Sequence, residues 1–356
     1  MSRRHTADTM AVMVRYPAPL RPGDRIGVTA PSAGVDDALW PRLEVAVGWL
    51  RRKGFDVEVG DCIQAPTHVS ASRDARAAEL QRMLTDPTIR CVIPPWGGET
   101  AIDLLPLIDF DAVAAAQPTW AVGYSDTSTW LTPLTLLTGT ATVHGHNLMD
   151  TPYAAEPGLA HWLDVVTAEP GAELVQGSPG RYRTGGHDDW EADPAVCAHT
   201  LDGVGGWARI DEGHEDELVV LSGRLIGGCL ETLAHLAGTA YGDVGGFARA
   251  HAPEGLVHYL DVSSWGAFDV CRALHGMRLA GWFEGTRGIL VSRTHAPDAE
   301  GFSQHDAVRD ALGGLGVPIV AEVECGHVPP HLALVNGAPT TVTMSEDERS
   351  VRQTLA

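Results

Sequence analysis

From about Tyr16 the chain alternates short apolar runs with longer stretches in which apolar positions recur at helical spacing. DRIGVTAPS reads as a strand running into a Pro-Ser turn, WPRLEVAVGWLRRKG as a helix stopped at a glycine, and FDVEVG as a second strand. SRDARAAELQRMLTD predicts a helix capped by Ser72, IRCVIPPW a strand, and AIDLLPLID a further helix. Residues 119–123 are short, apolar and partly β-branched, as in a buried strand, and the Leu- and Thr-rich segment from about 127 to 137 reads as a helix. This βαβα rhythm predicts a parallel sheet covered by helices, a Rossmann-like N-terminal domain over 16–150.

The rhythm is lost over 151–220. QGSPGRYRTGGHDDWEADP is rich in Gly and Pro, and two isolated tryptophans, Trp190 and Trp207, mark this region as a linker or a long functional loop. Regular patterning resumes at SGRLIGG (222–228). GLVHYLDV, TRGILVSR and PIVAEVEC read as strands and FDVCRALHGMRLAG as a helix, so 221–345 is expected to be a second α/β domain. Residues 1–15 and 346–356 are expected to be tails.

Composition narrows the function classes. A chain of 356 residues has room for two domains, and its 44% hydrophobic content is ordinary for a globular protein. The net charge of −21 repels phosphate backbones and disfavours a nucleic-acid partner. No apolar run reaches the length of a membrane span, and Arg3 and Arg4 are not followed by a signal-length apolar core, so a cytoplasmic protein with no membrane partner is expected. The six cysteines are scattered without a CxxC pair, which gives neither a zinc ribbon nor a disulfide framework; most are expected to be reduced and buried. Sixteen histidines raise the question of a metal, but there is no HExxH, and the H-x-H pair of VHGHN has no carboxylate or cysteine set nearby to complete it, so no metal is expected.

Four stretches could carry chemistry. In AVGYSDTSTW, Ser125 sits in a strand-to-helix turn, either as a nucleophile pushed out of the sheet or as a helix cap. In PPWGGETAIDLLP, Gly97 and Gly98 follow a strand, either presenting bare backbone N–H groups to a ligand or forming an ordinary turn. Asp261 ends the apolar strand LVHYLD, either as a site carboxylate at the sheet edge or as a cap. In ECGHVPPHLALVNGAP, His327 follows a strand and a glycine in a loop stiffened by two prolines, either as a general base or as a core histidine; His331, beyond the prolines, is the weaker candidate. Together they supply nucleophile, acid, base and oxyanion donors in the chain order Ser, acid, His. Cys229 has no evident base beside it and is not a convincing rival nucleophile.

This ordered set resembles the LD-carboxypeptidase-like serine peptidases, a family that includes murein tetrapeptide carboxypeptidases and microcin C immunity peptidases. The resemblance runs from about 17 to 342 through LRPGDRIGVTAPSAG, WGGETAIDLLPLIDFD, VGYSDTS, GRLIGGCLETLAHLAGTAYGD, LVHYLDVSSWGAFDV and CGHVPPHLALVNGAP. It implies an active site at the interface of the two domains, with Ser125 as nucleophile, His327 as base and the acid at Asp261, where the family usually has Glu. It further implies an oxyanion hole from the N–H groups of Gly98, Gly97 and Asp126, no cofactor, and a homodimer. Where family members commonly have Asn this chain has Cys229. The long insert looks like the microcin C immunity branch, which implies a small peptide-like substrate, an aminoacyl or peptidyl conjugate of a nucleotide-like group, with Trp190 as a stacking residue and Trp96 and Cys229 beside the substrate. Murein LD-carboxypeptidase activity, a biosynthetic amidase or acyltransferase, and a non-catalytic sequestering protein remain the alternatives.

Overall fold

The computed structural model describes residues 13–65, 67–214 and 218–355. Five parallel strands, β1 (Arg25–Val28), β2 (Asp56–Val59), β3 (Ile89–Ile93), β4 (Trp120–Gly123) and β5 (Thr142–His144), form a first sheet in the order β2-β1-β3-β4-β5. Helices α1 (Trp40–Arg52), α2 (Arg73–Thr85), α3 (Phe110–Ala115) and α4 (Ser128–Thr138) follow the strands. The Ser72 hydroxyl caps α2 by accepting from Ala75 N–H. AIDLLPLID forms a 3-10 helix, Ala101–Leu107, rather than an α-helix, because Pro106 removes a donor inside it. The strand order reverses between β1 and β3, the place where doubly wound sheets open a crevice beyond their strand ends. Ser32 lies just past β1 and the Gly97-Gly98 pair just past β3, so both sit at this crevice.

The rest of the chain contributes β6 (Glu173–Gly177), β7 (Arg181–Tyr182), β8 (Gly203–Val204), β9 (Ala208–Arg209), β10 (Val219–Cys229), β11 (Leu256–Asp261), β12 (Thr286–Ser292), β13 (Ile319–Val323), β14 (Leu334–Asn336), β15 (Pro339–Met344) and β16 (Arg349–Thr354). A second, mixed sheet has the order β6-β16-β15-β10-β11-β12-β13-β9, parallel from β10 to β13 and antiparallel at both flanks. Helix α4 is buried along nearly its whole length, between β5 of the first sheet and β10 of the second. The two are joined there by hydrogen bonds from Thr132 Oγ1 to Gly227 O (2.8 Å) and from Cys229 N–H to Ser128 Oγ (3.0 Å). Strand β14 leaves the second domain and pairs antiparallel with β5, so the loop between β13 and β14 is pinned at one end to each sheet.

Three expectations about chain boundaries change. Residues 1–12 of the expected N-terminal tail lie outside the described residues, but Arg15 is held in place. It bridges to Thr140, and its guanidinium donates to the carbonyls of Ala114 and Ala116 at the end of α3. Segment 151–220 is more than a linker, because β6 and β9 form the two edges of the second sheet. Residues 346–356 are not a tail either, because β16 pairs with both β15 and β6. The buried residues of β16 include Ser350 on one face and Gln353 on the other, so the strand shows no apolar alternation. Gln353 is instead satisfied by Val335 N–H (2.9 Å), Val335 O (3.2 Å) and Thr340 Oγ1 (3.0 Å).

Cys62, Cys91, Cys229 and Cys325 are buried free thiols, as expected from their scattered placement. Among the described residues no helix is long and apolar enough to cross a membrane.

Candidate active site

Strand β4 ends at Gly123, and the chain turns sharply through Tyr124 and Ser125 into α4. Ser125 is left-handed, at φ +63°, a conformation that costs a residue with a Cβ about 1 kcal/mol or more. Its surroundings hold it there. Gly123, at φ +150°, lets the Asn147 side chain come close; a Cβ at 123 would stand 2.6 Å from Asn147 Oδ1. That oxygen accepts from Tyr124 N–H (3.2 Å) and from the Thr127 hydroxyl (3.3 Å). Ser125 is not a cap: the cap positions of the 3-10 turn and of α4 are Tyr124 and Thr127, neither with a side-chain cap bond. A strained, partly exposed serine at a strand-to-helix elbow is free to present Oγ to a ligand.

The glycine pair faces this serine. A Cβ built on Gly97 would lie 2.7 Å from Ser125 Cβ, 2.8 Å from its Oγ and 3.0 Å from Asp126 N. Gly98 has φ +139°, and a Cβ there would stand 2.4 Å from Ser32 Oγ. Both positions therefore need glycine, one for space and the other for conformation as well. The Asp126 carboxylate is buried and fully occupied: Oδ2 accepts from Ser32 Oγ (2.6 Å) and Ala101 N–H (2.9 Å), and Oδ1 from Thr129 Oγ1 (2.9 Å). Its role is to tie the elbow to the glycine loop. Trp96 fixes the same loop, its indole N–H shared between Ala33 O (3.1 Å) and Gly34 O (3.2 Å). Gly97→Ala is expected to lower kcat by about 10²-fold, the scale of losing one oxyanion donor, while the thermal midpoint moves by only a few degrees. Steady-state kinetics beside a melting curve checks this, and unchanged kcat would remove Gly97 from the site.

Asp261, at the end of β11, is fully buried, and its Oδ1 lies 2.9 Å from His327 Nδ1. This contact also needs a glycine, since a Cβ on Gly326 would stand 2.4 Å from Asp261 Oδ1. The pairing orients the ring, because Nδ1–H donates to the carboxylate and Nε2 keeps a free lone pair. Burial lowers the His327 pKa, but the charge and hydrogen bond of Asp261, with Glu231 and Asp150 farther off, outweigh it and raise the pKa above the ordinary 6.5. The Tyr124 ring lies 5.1 Å from the His327 ring, so the loop that carries His327 and the elbow meet.

Several groups carried no sequence signal. Glu231 binds the loop after β11, its Oε1 accepting from the N–H groups of Ser263 (2.9 Å), Ser264 (2.8 Å) and Trp265 (3.1 Å). Asp150 is half-buried beside Tyr124, and desolvation pushes its carboxyl up to about 7. Asn147 closes the VHGHN stretch, and only the fold reveals it as the clamp on the elbow. Cys229 is buried, donates its thiol to Glu231 Oε2 (3.3 Å), and has its pKa pushed well up by burial and by the Asp261 and Glu231 carboxylates; a thiol so held is a poor nucleophile.

Trp190 stands in the insert with its indole N–H on the Tyr153 hydroxyl (2.9 Å) and its ring 4.9 Å from the Arg42 guanidinium. The buried Arg42 in turn donates to the carbonyls of Met149, Pro194 and Val196, so these contacts anchor the insert. The H-x-H pair also reads differently in the fold. His146 meets two histidines that are distant in sequence, His199 and His331.

The LD-carboxypeptidase N-terminal domain matches residues 26–145, and the LD-carboxypeptidase C-terminal domain matches 222–342. A putative carboxypeptidase of Vibrio cholerae is 26% identical over 336 residues, covering 92% of this chain and 94% of its own. The microcin C7 self-immunity protein of Escherichia coli is 24% identical, covering 94% of this chain and 95% of its own. A solved structure of that type of protein, MccF in complex with glutamyl sulfamoyl guanosine, superposes with a TM-score of 0.77 at 23% identity, covering 95% of this chain and 97% of that one. The two domain matches take in more than half of the chain, and the chain belongs to the LD-carboxypeptidase family of serine peptidases.

Proposed function

We propose that this protein is a serine amidohydrolase that cleaves a small aminoacyl or peptidyl conjugate of a nucleotide-like group, in antibiotic self-immunity or detoxification. The observation that carries the reading is the Asp261–His327 pair brought up to the strained Ser125 elbow. In this mechanism Ser125 Oγ attacks the amide carbonyl as its proton passes to His327 Nε2. The N–H groups of Gly97, Gly98 and Asp126 hold the oxyanion, and Asp261 stabilises the imidazolium. His327 then gives the proton to the leaving nitrogen, the C–N bond breaks, and water, activated by the same histidine, hydrolyses the acyl-enzyme. The conjugate class is supported by the microcin C7 immunity relative and by the sulfamoyl nucleoside held in the similar structure. In this reading the protein is a cytoplasmic homodimer.

The family's own name supports a second reading, removal of a terminal D-residue from a murein tetrapeptide. Mass spectrometry of wild-type protein incubated with aminoacyl-sulfamoyl adenosines and with a murein tetrapeptide separates the two. Release of free amino acid from the conjugates is the expected result. Loss of only the terminal D-residue from the tetrapeptide would replace the first reading with the second.

A further inference from the structure

Near the Tyr124 ring, which lies 5.4 Å from His331, the fold gathers three imidazoles from three unconnected places. His146 follows β5 in the first domain, His199 lies in the insert, and His331 stands at the far end of the loop that carries His327. One ligand nitrogen from each lies within 4.8 Å of the other two. His146 Nε2 and His331 Nδ1 are 2.9 Å apart, and the His199 ring stacks on Tyr153 at 3.9 Å. Both ring nitrogens of His199 and Nε2 of His331 are buried without a hydrogen-bond partner in the protein. Polar nitrogens buried without a partner are costly unless something binds them, and an ion would take one nitrogen of each ring. Burial lowers the pKa of all three rings, so they are neutral at pH 7 and have lone pairs to give.

We infer that His146, His199 and His331 form a binding site for a divalent transition-metal ion of the zinc type. Three imidazoles are a donor set such ions prefer over calcium or magnesium. A tetrahedral ion at the usual zinc–nitrogen distance needs ligand nitrogens about 3.3 Å apart, which these side chains reach by small rotations. A small cavity is lined by His146, His199, His331 and the half-buried Glu156, so there is space beside the three rings for an ion. The ion would clamp the insert to the catalytic histidine's loop and to the edge of the first sheet. The site is independent of the serine chemistry and of the choice of substrate.

The test strips the full-length protein of metal with EDTA, adds one equivalent of Zn²⁺ or Co²⁺, and removes unbound ion by gel filtration. The expected result is one ion retained per chain, intense visible Co²⁺ bands of the tetrahedral kind, and slowing of proteolytic cleavage within 175–215 by several-fold. His199→Phe, which keeps a ring against Tyr153 without its nitrogens, and His331→Gln are each expected to lose the ion and the bands; circular dichroism establishes that they fold, and two separate variants guard against one that does not. A second cluster, Cys271, His275 and Asp310 on exposed helices, supplies the control. His275→Ala is expected to retain the ion. No retained ion in the wild type, or an ion lost by His275→Ala but kept by His199→Phe and His331→Gln, overturns the inference.

Discussion

Ser125→Ala is expected to lower turnover by roughly 10⁴-fold or more, while the protein stays folded and still binds its ligand. The attacking oxygen is removed, but the backbone donors at Gly97, Gly98 and Asp126 remain to hold a carbonyl. Ser125 is partly exposed and makes no cap bond, so its loss removes little that stabilises the fold. Stability carries a second signature. Alanine keeps a Cβ at φ +63°, whereas glycine relieves it, so Ser125→Gly is expected to be about 1 kcal/mol more stable than Ser125→Ala. Single-turnover kinetics, ligand binding and denaturant melts on the two variants check all three expectations. Undiminished protection and ligand binding in Ser125→Ala, with no turnover by the wild type, would leave a sequestering protein in place of a hydrolase; undiminished turnover would mean a nucleophile other than Ser125.

Asp261→Asn is expected to cost about 10⁴-fold in kcat and to move the pH profile. An amide in place of the carboxylate can donate to Nδ1, which forces the proton onto Nε2 and leaves no base facing Ser125. The wild-type base acts only when neutral, and Asp261 raises its pKa, so the acid limb of kcat/KM is expected above pH 6.5. In Asp261→Asn the raising charge is gone and burial still lowers the pKa, so the limb of any residual activity moves to lower pH. Asp261→Glu restores the charge but adds a methylene at a fully buried position already crowded by the Gly326 backbone. It is expected to fall between the other two, with a strain cost of about 1–3 kcal/mol. A pH profile from 5 to 9 on the three proteins decides; an unshifted limb in Asp261→Asn would mean that another carboxylate, such as Asp150, orients His327.

The immunity and murein readings differ in what must lie beyond the elbow, not in the elbow itself. Both need Ser125, His327 and the glycine loop. They separate at the substrate's far end; in the proposed reading Trp190 of the insert lies there, held by Tyr153 and by Arg42 of α1. A metal clamp through His199 would restrain this same insert, so its occupancy and the enzyme's substrate range can be measured on one set of variants.

Much of the first domain was legible from the chain alone, because parallel strands buried on both faces read as unbroken apolar runs and the intervening helices carry their own caps, as Ser72 does for α2. The catalytic candidates were legible too, since strand ends marked by Gly, Ser, Asp and His are local features. Strand β16 was not, because its buried residues include Ser350 and Gln353, and the partners that satisfy Gln353 lie elsewhere in the chain. Nor was the elbow's restraint by Asn147, or the meeting of His146 with His199 and His331, since contacts between distant segments leave no periodicity behind. The amino-acid sequence by itself determined the α/β class, the family and the order of serine, acid and histidine, which rest on short-range patterning. Tertiary structure alone decided that Asp261 reaches His327 despite its shorter side chain, because that depends on Gly326 leaving room for the Asp261 carboxylate and the Ser292 side chain against its backbone.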